Sequence, residues 1–300
     1  MRVYSSFEKL EALPGNGRNR ILLAGEEIPY EQRKQITAGK KIVLTQSQCA
    51  DLGEEEKELP RYQSAERLTA GIMEVLKDDR GAVLAPGITR SRILAVYSPI
   101  HRIGKTTLAI RLGKALAEKQ NVLYVNLETY AGEGGYFQDR DVLNLSHLLY
   151  YVKQDEGDIS VRIASVVKQM GKLDYIPPVK VWTDLLDVPS REWEIFLERL
   201  AGQSVYHVIL LDMGNSLNGL FGILNLCQRI LVPFRKDVHG DAKMKQYHGI
   251  LQATGYQELE ARSLYLDMEK PVRQTVREAL AQLEADERKE CRNASGRAAP

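Results

Sequence analysis

One passage constrains the fold more than any other. Ile93 to Tyr97 (ILAVY) is a short apolar run rich in strand formers, and Ser98 to Gly104 (SPIHRIG) is a turn. From Lys105 the sequence KTTLAIRLGKALAEKQ puts Leu108, Leu112 and Leu116 on one helical stripe. Asn121 to Leu127 (NVLYVNL) is again a strand pattern. Strand, loop, helix and strand within about 35 residues is the size of a βαβ unit, which joins parallel strands through a crossover helix.

The rest of the chain repeats this alternation. Further strands are expected at Leu173–Pro177, Val205–Leu211 and Arg229–Val232. Helices are expected at Leu145–Gln154, Ile159–Met170, Ser190–Ala201, Leu217–Leu226, Ala242–Thr254 and Pro271–Lys289. The expected fold class is therefore α/β, a mostly parallel sheet with helices on both faces. Before it lies a shorter unit. Asn19–Ala24 and Lys41–Thr45 read as buried strands, and Tyr30–Thr37 and Ser64–Lys77 as helices. Residues 50–60 (ADLGEEEKELP) are acidic and read as a solvated loop. Residues 78–92, with two Gly, one Pro and a charge cluster, read as a junction. The last ten residues are polar and read as a frayed tail.

Composition removes several functional classes. Forty-one Lys and Arg balance 40 Asp and Glu, so no strongly basic arm or acidic tail acts as the functional device, and a nucleic-acid partner is not expected. Cys49, Cys227 and Cys291 lie far apart with no CxxC spacing, which argues against a zinc ribbon, an iron–sulfur cluster or a disulfide framework. The N-terminus does not have the pattern of a secretory signal, and no uncharged apolar run approaches the roughly 20 residues of a spanning helix. A cytoplasmic protein is expected.

The chemistry concentrates at Gly104-Lys105-Thr106-Thr107, between strand and helix. A phosphate loop needs inward N–H groups at a helix N-terminus, a Lys for the β/γ-phosphates and a hydroxyl for Mg2+. Gly104 permits close approach, Lys105 supplies charge and Thr106 the hydroxyl. The strict pattern asks for Gly five positions before Gly104, and Pro99 stands there. His207–Asp212 (HVILLD) is an apolar strand ending in an acid, the position from which Asp holds Mg2+ beside such a loop; a turn-capping Asp is the alternative. Asn126 and Glu128 share one side of an extended chain and both are placed to face a nucleotide. Glu128 reads either as a surface carboxylate or as a group orienting water or a metal.

These residues carry a resemblance. SPIHRIGKTTLAIRLGKALA is similar to the deviant phosphate loop of the MinD/ParA (SIMIBI-class) ATPases, which reads roughly SPKGGVGKTT, and the distances to NVLYVNLE and HVILLD fit that class. Together with LYVNLETYAG, LSHLLYYVKQ, LDYIPPV, VILLDMGN and AKMKQY, the chain most resembles the TadZ/CpaE branch, pilus-assembly ATPases with a receiver-like N-terminal domain. The resemblance spans residues 93–260 and extends weakly over 1–77. It implies a truncated, atypical receiver-like domain at 1–80, a linker at 81–92, an ATPase domain at 93–288 and a polar tail at 289–300.

Residue by residue, the resemblance implies that His101, Arg102, Ile103, Gly104, Lys105, Thr106 and Thr107 surround ATP. It implies that Thr106 and Asp212 hold Mg2+, and that Lys105, Asp212, Glu128 and Asn126 form the catalytic set. It also exposes departures. The class's signature lysine, which reaches the partner's phosphates, falls at Ile100, and His101 and Arg102 replace two glycines. Asn126 stands where an Asp commonly prepares the attacking water, and an amide is no base. Arg102 reads either as a surface residue or as a replacement for the lost charge. The N-terminal unit does not carry the acids a working receiver needs: its RILLAG strand ends in Gly25 and Glu26, so an interaction or dimerisation role remains.

The expectation is a nucleotide-dependent homodimer acting in localisation or assembly of a Tad/Flp-type pilus, with weak hydrolysis at most. Its partners would be itself and the pilus assembly proteins, with peripheral recruitment to the inner face of the cell membrane or a pole. The alternatives are a non-hydrolysing pseudo-ATPase scaffold and a small-molecule phosphotransferase. Leu217–Leu226 reads as core or as a switch-linked dimer surface. Trp182 and Trp193 read as packing residues, and Leu148–Tyr151 as a core or partner-contact patch. The 271–289 helix, with Val272, Val276, Leu280 and Leu283 on one stripe, reads as docked on its own domain.

Overall fold

The computed structural model describes residues 21–46, 51–63, 68, 71–72, 75, 91–132, 134–137, 143–154 and 159–296. The chain divides into two compact units, 1–88 and 89–300.

In the first unit, β1 (Ile21–Gly25), α1 (Tyr30–Gln35), β2 (Lys40–Thr45) and β3 (Glu56–Pro60) build a parallel sheet in the order β1-β2-β3. Leu22, Ala24, Ile42 and Val43 are its buried apolar residues. The acidic stretch expected as a loop is corrected here, because Glu56–Pro60 pairs in register with Lys41–Thr45. A buried ion pair explains the strand. The Arg33 guanidinium on α1 meets Glu56 through two bonds, Nε to Oε1 at 2.9 Å and Nη2 to Oε2 at 2.8 Å. It also donates to the carbonyls of Ile28 and Asp51. Burial pushes the Glu56 carboxyl up. The bonds from Arg33 and from the Gly53 N–H outweigh that and hold it below the ordinary value. Most of the expected Ser64–Lys77 helix, and residues 78–90 of the expected junction, lie outside the described residues. Leu68, Gly71, Ile72 and Val75 are helical.

The second unit runs β4 (Arg92–Val96), α2 (Lys105–Leu116), β5 (Val122–Leu127), α3 (Leu145–Lys153), α4 (Ile159–Val166), β6 (Lys168–Met170), β7 (Leu173–Ile176), α5 (Thr183–Leu186) and α6 (Ser190–Gln203). It continues with β8 (Val208–Met213), α7 (Leu220–Asn225), β9 (Arg229–Phe234), α8 (Val238–Ala253), α9 (Glu258–Arg262), β10 (Ser263–Asp267) and α10 (Val272–Gly296). Seven strands form one sheet in the order β10-β9-β4-β8-β5-β7-β6, parallel except for the β6–β7 pair. The fold is α/β with a mostly parallel sheet and helices on both faces.

Strand alternation splits the core. Ile93, Ala95 and Tyr97 pack into one layer with Leu148, Ile163, Phe196, Ile223 and Leu251 from α3, α4, α6, α7 and α8. Leu94 and Val96 pack into the other with Leu108 and Leu112 of α2 and Val276, Ala279 and Leu283 of α10. The C-terminal helix is thus docked on its own unit. It is fastened further by Lys119–Glu284 at 2.7 Å and Arg229–Asp286 at 2.7 Å.

The neighbours β4 and β8 send their connections opposite ways. After β4 the chain passes through α2 on one face to β5. After β8 it passes through α7 on the other face to β9. Such a reversal opens a crevice at the carboxyl ends of the strands, where parallel α/β sheets place their ligands.

Several expectations are corrected. Lys168–Met170 leaves the expected helix and pairs antiparallel with β7, because Gly171 at φ 74° turns the chain back. The backbone expected as a frayed tail continues α10 to Gly296. Trp193 is fully buried, but Trp182 is exposed and is no packing residue. Within Leu217–Leu226, Leu217, Ile223 and Leu224 are buried, and Leu220, Phe221 and Leu226 pack against the same core. In the Leu148–Tyr151 patch, Leu148 and Leu149 are core and Tyr150 is exposed.

Candidate functional site

The site begins where β4 ends. The Ser98 hydroxyl oxygen, fully buried, accepts from the Ile100 N–H at 3.0 Å and folds the chain over. Ile100 lies against the core, and the Ile103 side chain is buried. His101 and Arg102 face outward, with Arg102 at φ 56°. Gly104 opens α2 at φ 91°, a left-handed conformation that glycine adopts without Cβ strain. No side chain caps Gly104's end of the helix, and no acid sits in its first turn. Uncapped N–H groups with the positive end of the helix dipole make an anion site.

Lys105 extends beneath this turn and is only 7% exposed. Its Nζ donates to the Met213 carbonyl at 2.9 Å and pairs with Glu128 Oε1 at 2.7 Å. A buried ammonium needs such partners, since an unpaired one is strongly disfavoured. Glu128 is therefore not a free surface carboxylate but the partner of the Lys105 ammonium.

Asn126 and Asp212 meet through strand register. Parallel pairing of β5 with β8 sets Asn126 directly beside Asp212, and both are buried. The Asn126 amide donates to Asp212 Oδ2 at 3.2 Å and to the Tyr124 hydroxyl oxygen at 3.0 Å. The Tyr124 hydroxyl donates to the same Oδ2 at 2.9 Å. Asn126 Oδ1 accepts from the Glu128 N–H at 3.0 Å. Asn126 thus bonds Tyr124, Asp212 and the Glu128 N–H, and lies beside the acid expected to hold Mg2+. Just past β8 the chain passes close to β5, since a Cβ on Gly214 would lie 2.6 Å from the Leu127 carbonyl.

Asp212 Oδ1 is buried and makes no hydrogen bond of ordinary geometry. Burial pushes the carboxyl up to about 6; the Thr106 hydroxyl, Tyr124 and the Lys105 charge pull the other way, and the Glu128 charge adds to the rise. A buried carboxylate oxygen with no hydrogen bond of ordinary geometry, close to a threonine hydroxyl, is a hard donor pair of the kind Mg2+ takes. These residues therefore fit a Mg2+-bound phosphate.

The remaining expected residues divide. The Thr107 hydroxyl bonds the Tyr136 hydroxyl at 2.8 Å. His101 Nε2 lies 3.2 Å from Asn215 Nδ2, where the amide donates, and this contact borders the site. Tyr124, Met213, Tyr136 and Asn215 escaped the sequence reading. Tyr124 alone had a signal, standing two residues before Asn126 on the same side of the strand. Its ring stacks on Phe137 at 6.1 Å, and Phe137 in turn packs on Tyr175 at 5.5 Å.

Fold and site together define a mostly parallel α/β domain. At the carboxyl ends of its strands an uncapped, lysine-bearing helix start lies beside a buried, half-satisfied aspartate. No family model and no curated protein matches the sequence. Among solved structures it is similar to a ParA family ATPase from Chlorobium tepidum TLS, at 16% identity over 59% of this chain and 73% of that one, with a TM-score of 0.49. It is also similar to a plasmid partition protein from Borrelia burgdorferi, at 18% identity over 64% and 86%, with a TM-score of 0.46. A third is cobyrinic acid a,c-diamide synthase from Mycobacterium smegmatis with bound ADP and magnesium, at 16% identity over 59% and 74%, with a TM-score of 0.42. At these identities and scores nothing about activity follows from them.

Proposed function

We propose that residues 89–300 form a MinD/ParA-type domain that binds ATP with Mg2+ at the start of α2. One observation carries this reading. Lys105, Thr106 and the uncapped N–H groups after Gly104 converge with a buried Asp212 whose Oδ1 has no hydrogen bond of ordinary geometry. The N–H groups and Lys105 bind phosphate, with the Lys105 ammonium exchanging Glu128 for a phosphate oxygen. Thr106 and Asp212 hold Mg2+, which neutralises phosphate charge when bound. Glu128, once released, stands on the side where attacking water would be oriented. Ile103 contributes main chain only, and His101 and Arg102 border the phosphates.

Two features favour weak hydrolysis, or a non-hydrolysing scaffold. Ile100 lies against the core where the resemblance asks for a lysine, and the Asn126 amide is committed to Tyr124, Asp212 and Glu128. The further reading is a nucleotide-dependent homodimer serving the assembly or placement of a Tad/Flp-type pilus. It rests on the sequence resemblance to the TadZ/CpaE branch. The three parallel strands among the described residues of the first unit are compatible with a receiver-like domain used for contacts rather than phosphorylation. Among the described residues no helix is long and apolar enough to cross a membrane, and peripheral recruitment from the cytoplasm is the reading we favour.

Calorimetric titration of the full chain with ATP and Mg2+ tests the site, with Lys105→Ala as control. Binding about a hundredfold weaker in the variant is expected; binding equal in both would remove the assignment. Phosphate release from the two proteins separates slow hydrolysis from none, and sedimentation with and without Mg2+–ATP tests the gated dimer.

A further inference from the structure

The Asp212 carboxylate is held asymmetrically. Two donors, the Tyr124 hydroxyl and the Asn126 amide, both converge on Oδ2, while Oδ1 is buried without a hydrogen bond of ordinary geometry. The donors are themselves linked, since the second Asn126 N–H goes to the Tyr124 oxygen. This fixes the amide's orientation, because the reverse would set its oxygen against Asp212 Oδ2 and leave the Glu128 N–H without its acceptor. Nothing in a simple core requires this arrangement. A buried polar atom ordinarily finds a hydrogen-bond partner, so an Oδ1 without one calls for an explanation.

We infer that Tyr124 and Asn126 are positioning residues that saturate one oxygen of Asp212 and so reserve the other, beside Thr106, for the divalent cation of a bound nucleotide. The inference rests on the nucleotide site proposed above and adds two residues to it. It gives the amide at position 126 a role that a carboxylate cannot fill. An Asp there would set two like charges about 3 Å apart and remove both donated bonds. Asn126 is thus part of how this chain presents its cation ligand, and not merely an acid that was lost. Tyr124 reaches Asp212 from one strand over, which only the β5–β8 register allows, and its ring is fixed by the stack on Phe137.

The test is the apparent affinity of the full chain for ATP, measured across a Mg2+ titration and again in EDTA. Tyr124→Phe keeps the ring and its stacking and removes only the hydroxyl. Loss of a hydrogen bond to a charged group predicts that about tenfold more Mg2+ is needed for half-maximal enhancement, with affinity in EDTA unchanged. Asn126→Asp should abolish the Mg2+ enhancement and raise no phosphate release above the starting protein. An unchanged Mg2+ requirement in Tyr124→Phe overturns the inference while leaving the site intact. So does a loss of affinity equal in Mg2+ and EDTA, which would mean the hydroxyl only supports folding. No ATP binding by the unsubstituted protein removes the inference together with the site.

Discussion

Among the described residues, Arg33–Glu56 in the first unit and Lys105–Glu128 in the second each join a buried cation to a carboxylate, and the two pairs are built differently. Arg33–Glu56 has both side chains fully buried, two parallel bonds between them, and further partners from Ile28, Asp51 and Gly53. Lys105–Glu128 is a single contact with Glu128 at 22% side-chain exposure, and a bare carboxylate oxygen lies in the same cluster at Asp212. A planar guanidinium forked onto a carboxylate satisfies itself and holds elements together. An ammonium on a flexible stem can exchange one anion for another. The first pair is a structural clamp, and the second is poised for replacement.

Breaking the clamp should give the largest effect. Glu56→Ala leaves the Arg33 charge buried without its carboxylate, and the first unit should lose about 3–5 kcal/mol, the usual cost of half a buried pair. Faster hydrogen exchange over residues 21–60, with ATP affinity of the second unit unchanged, is the expected result. If exchange there is unaltered, the pair does not hold β3 in place.

Lys105→Ala comes next. It removes the phosphate ligand and should weaken ATP binding by about a hundredfold, or about 2.7 kcal/mol. A smaller and opposite change is expected of Glu128→Gln. Its amide competes less well than a carboxylate for Lys105, so ATP should bind about five- to tenfold tighter, a shift of about 1 kcal/mol. Unchanged or weaker binding would show that Glu128 is not what a phosphate must displace.

The pH dependence sharpens the same contrast. Asp212 is raised from 3.8 to about 6. The folded chain therefore holds that proton more tightly than the unfolded one. The group's contribution to stability without nucleotide falls as pH rises from about 4 to about 6 and is level above. The Mg2+ enhancement of ATP binding runs the other way, growing as pH rises through about 6, where the folded carboxylate ionises. Glu56, lowered in its clamp, stabilises the first unit above the ordinary glutamate value and ceases to do so as pH falls below it. The smallest effect belongs to Tyr136→Phe. Removing one exposed hydrogen bond to Thr107 should change ATP affinity no more than about twofold by titration calorimetry.

The parts of this molecule legible in its sequence are those fixed by local periodicity. β4, α2, β5 and β8 are continuous apolar runs or single-striped helices, and Lys105, Thr106 and Asp212 sit at their ends. What escaped depends on distant partners. β3 reads EKELP and becomes a strand because Arg33 neutralises Glu56 within the sheet's core. β6 departs from a helical pattern because Gly171 reverses the chain onto β7. Edge strand β10 is short, and its Tyr265 is exposed. In the site, Met213 acts through its carbonyl, which leaves no trace in residue type. The meeting of Tyr124 with Asp212 is a product of strand register, and no motif encodes it.

The most direct measurement is a crystal structure of the chain with Mg2+ and a non-hydrolysable ATP analogue. The account predicts phosphates against the N–H groups after Gly104, the Lys105 ammonium on a phosphate oxygen with Glu128 displaced, and the cation near Thr106 and Asp212 Oδ1. A nucleotide bound elsewhere, or bound there with the Lys105–Glu128 pair intact, would contradict it.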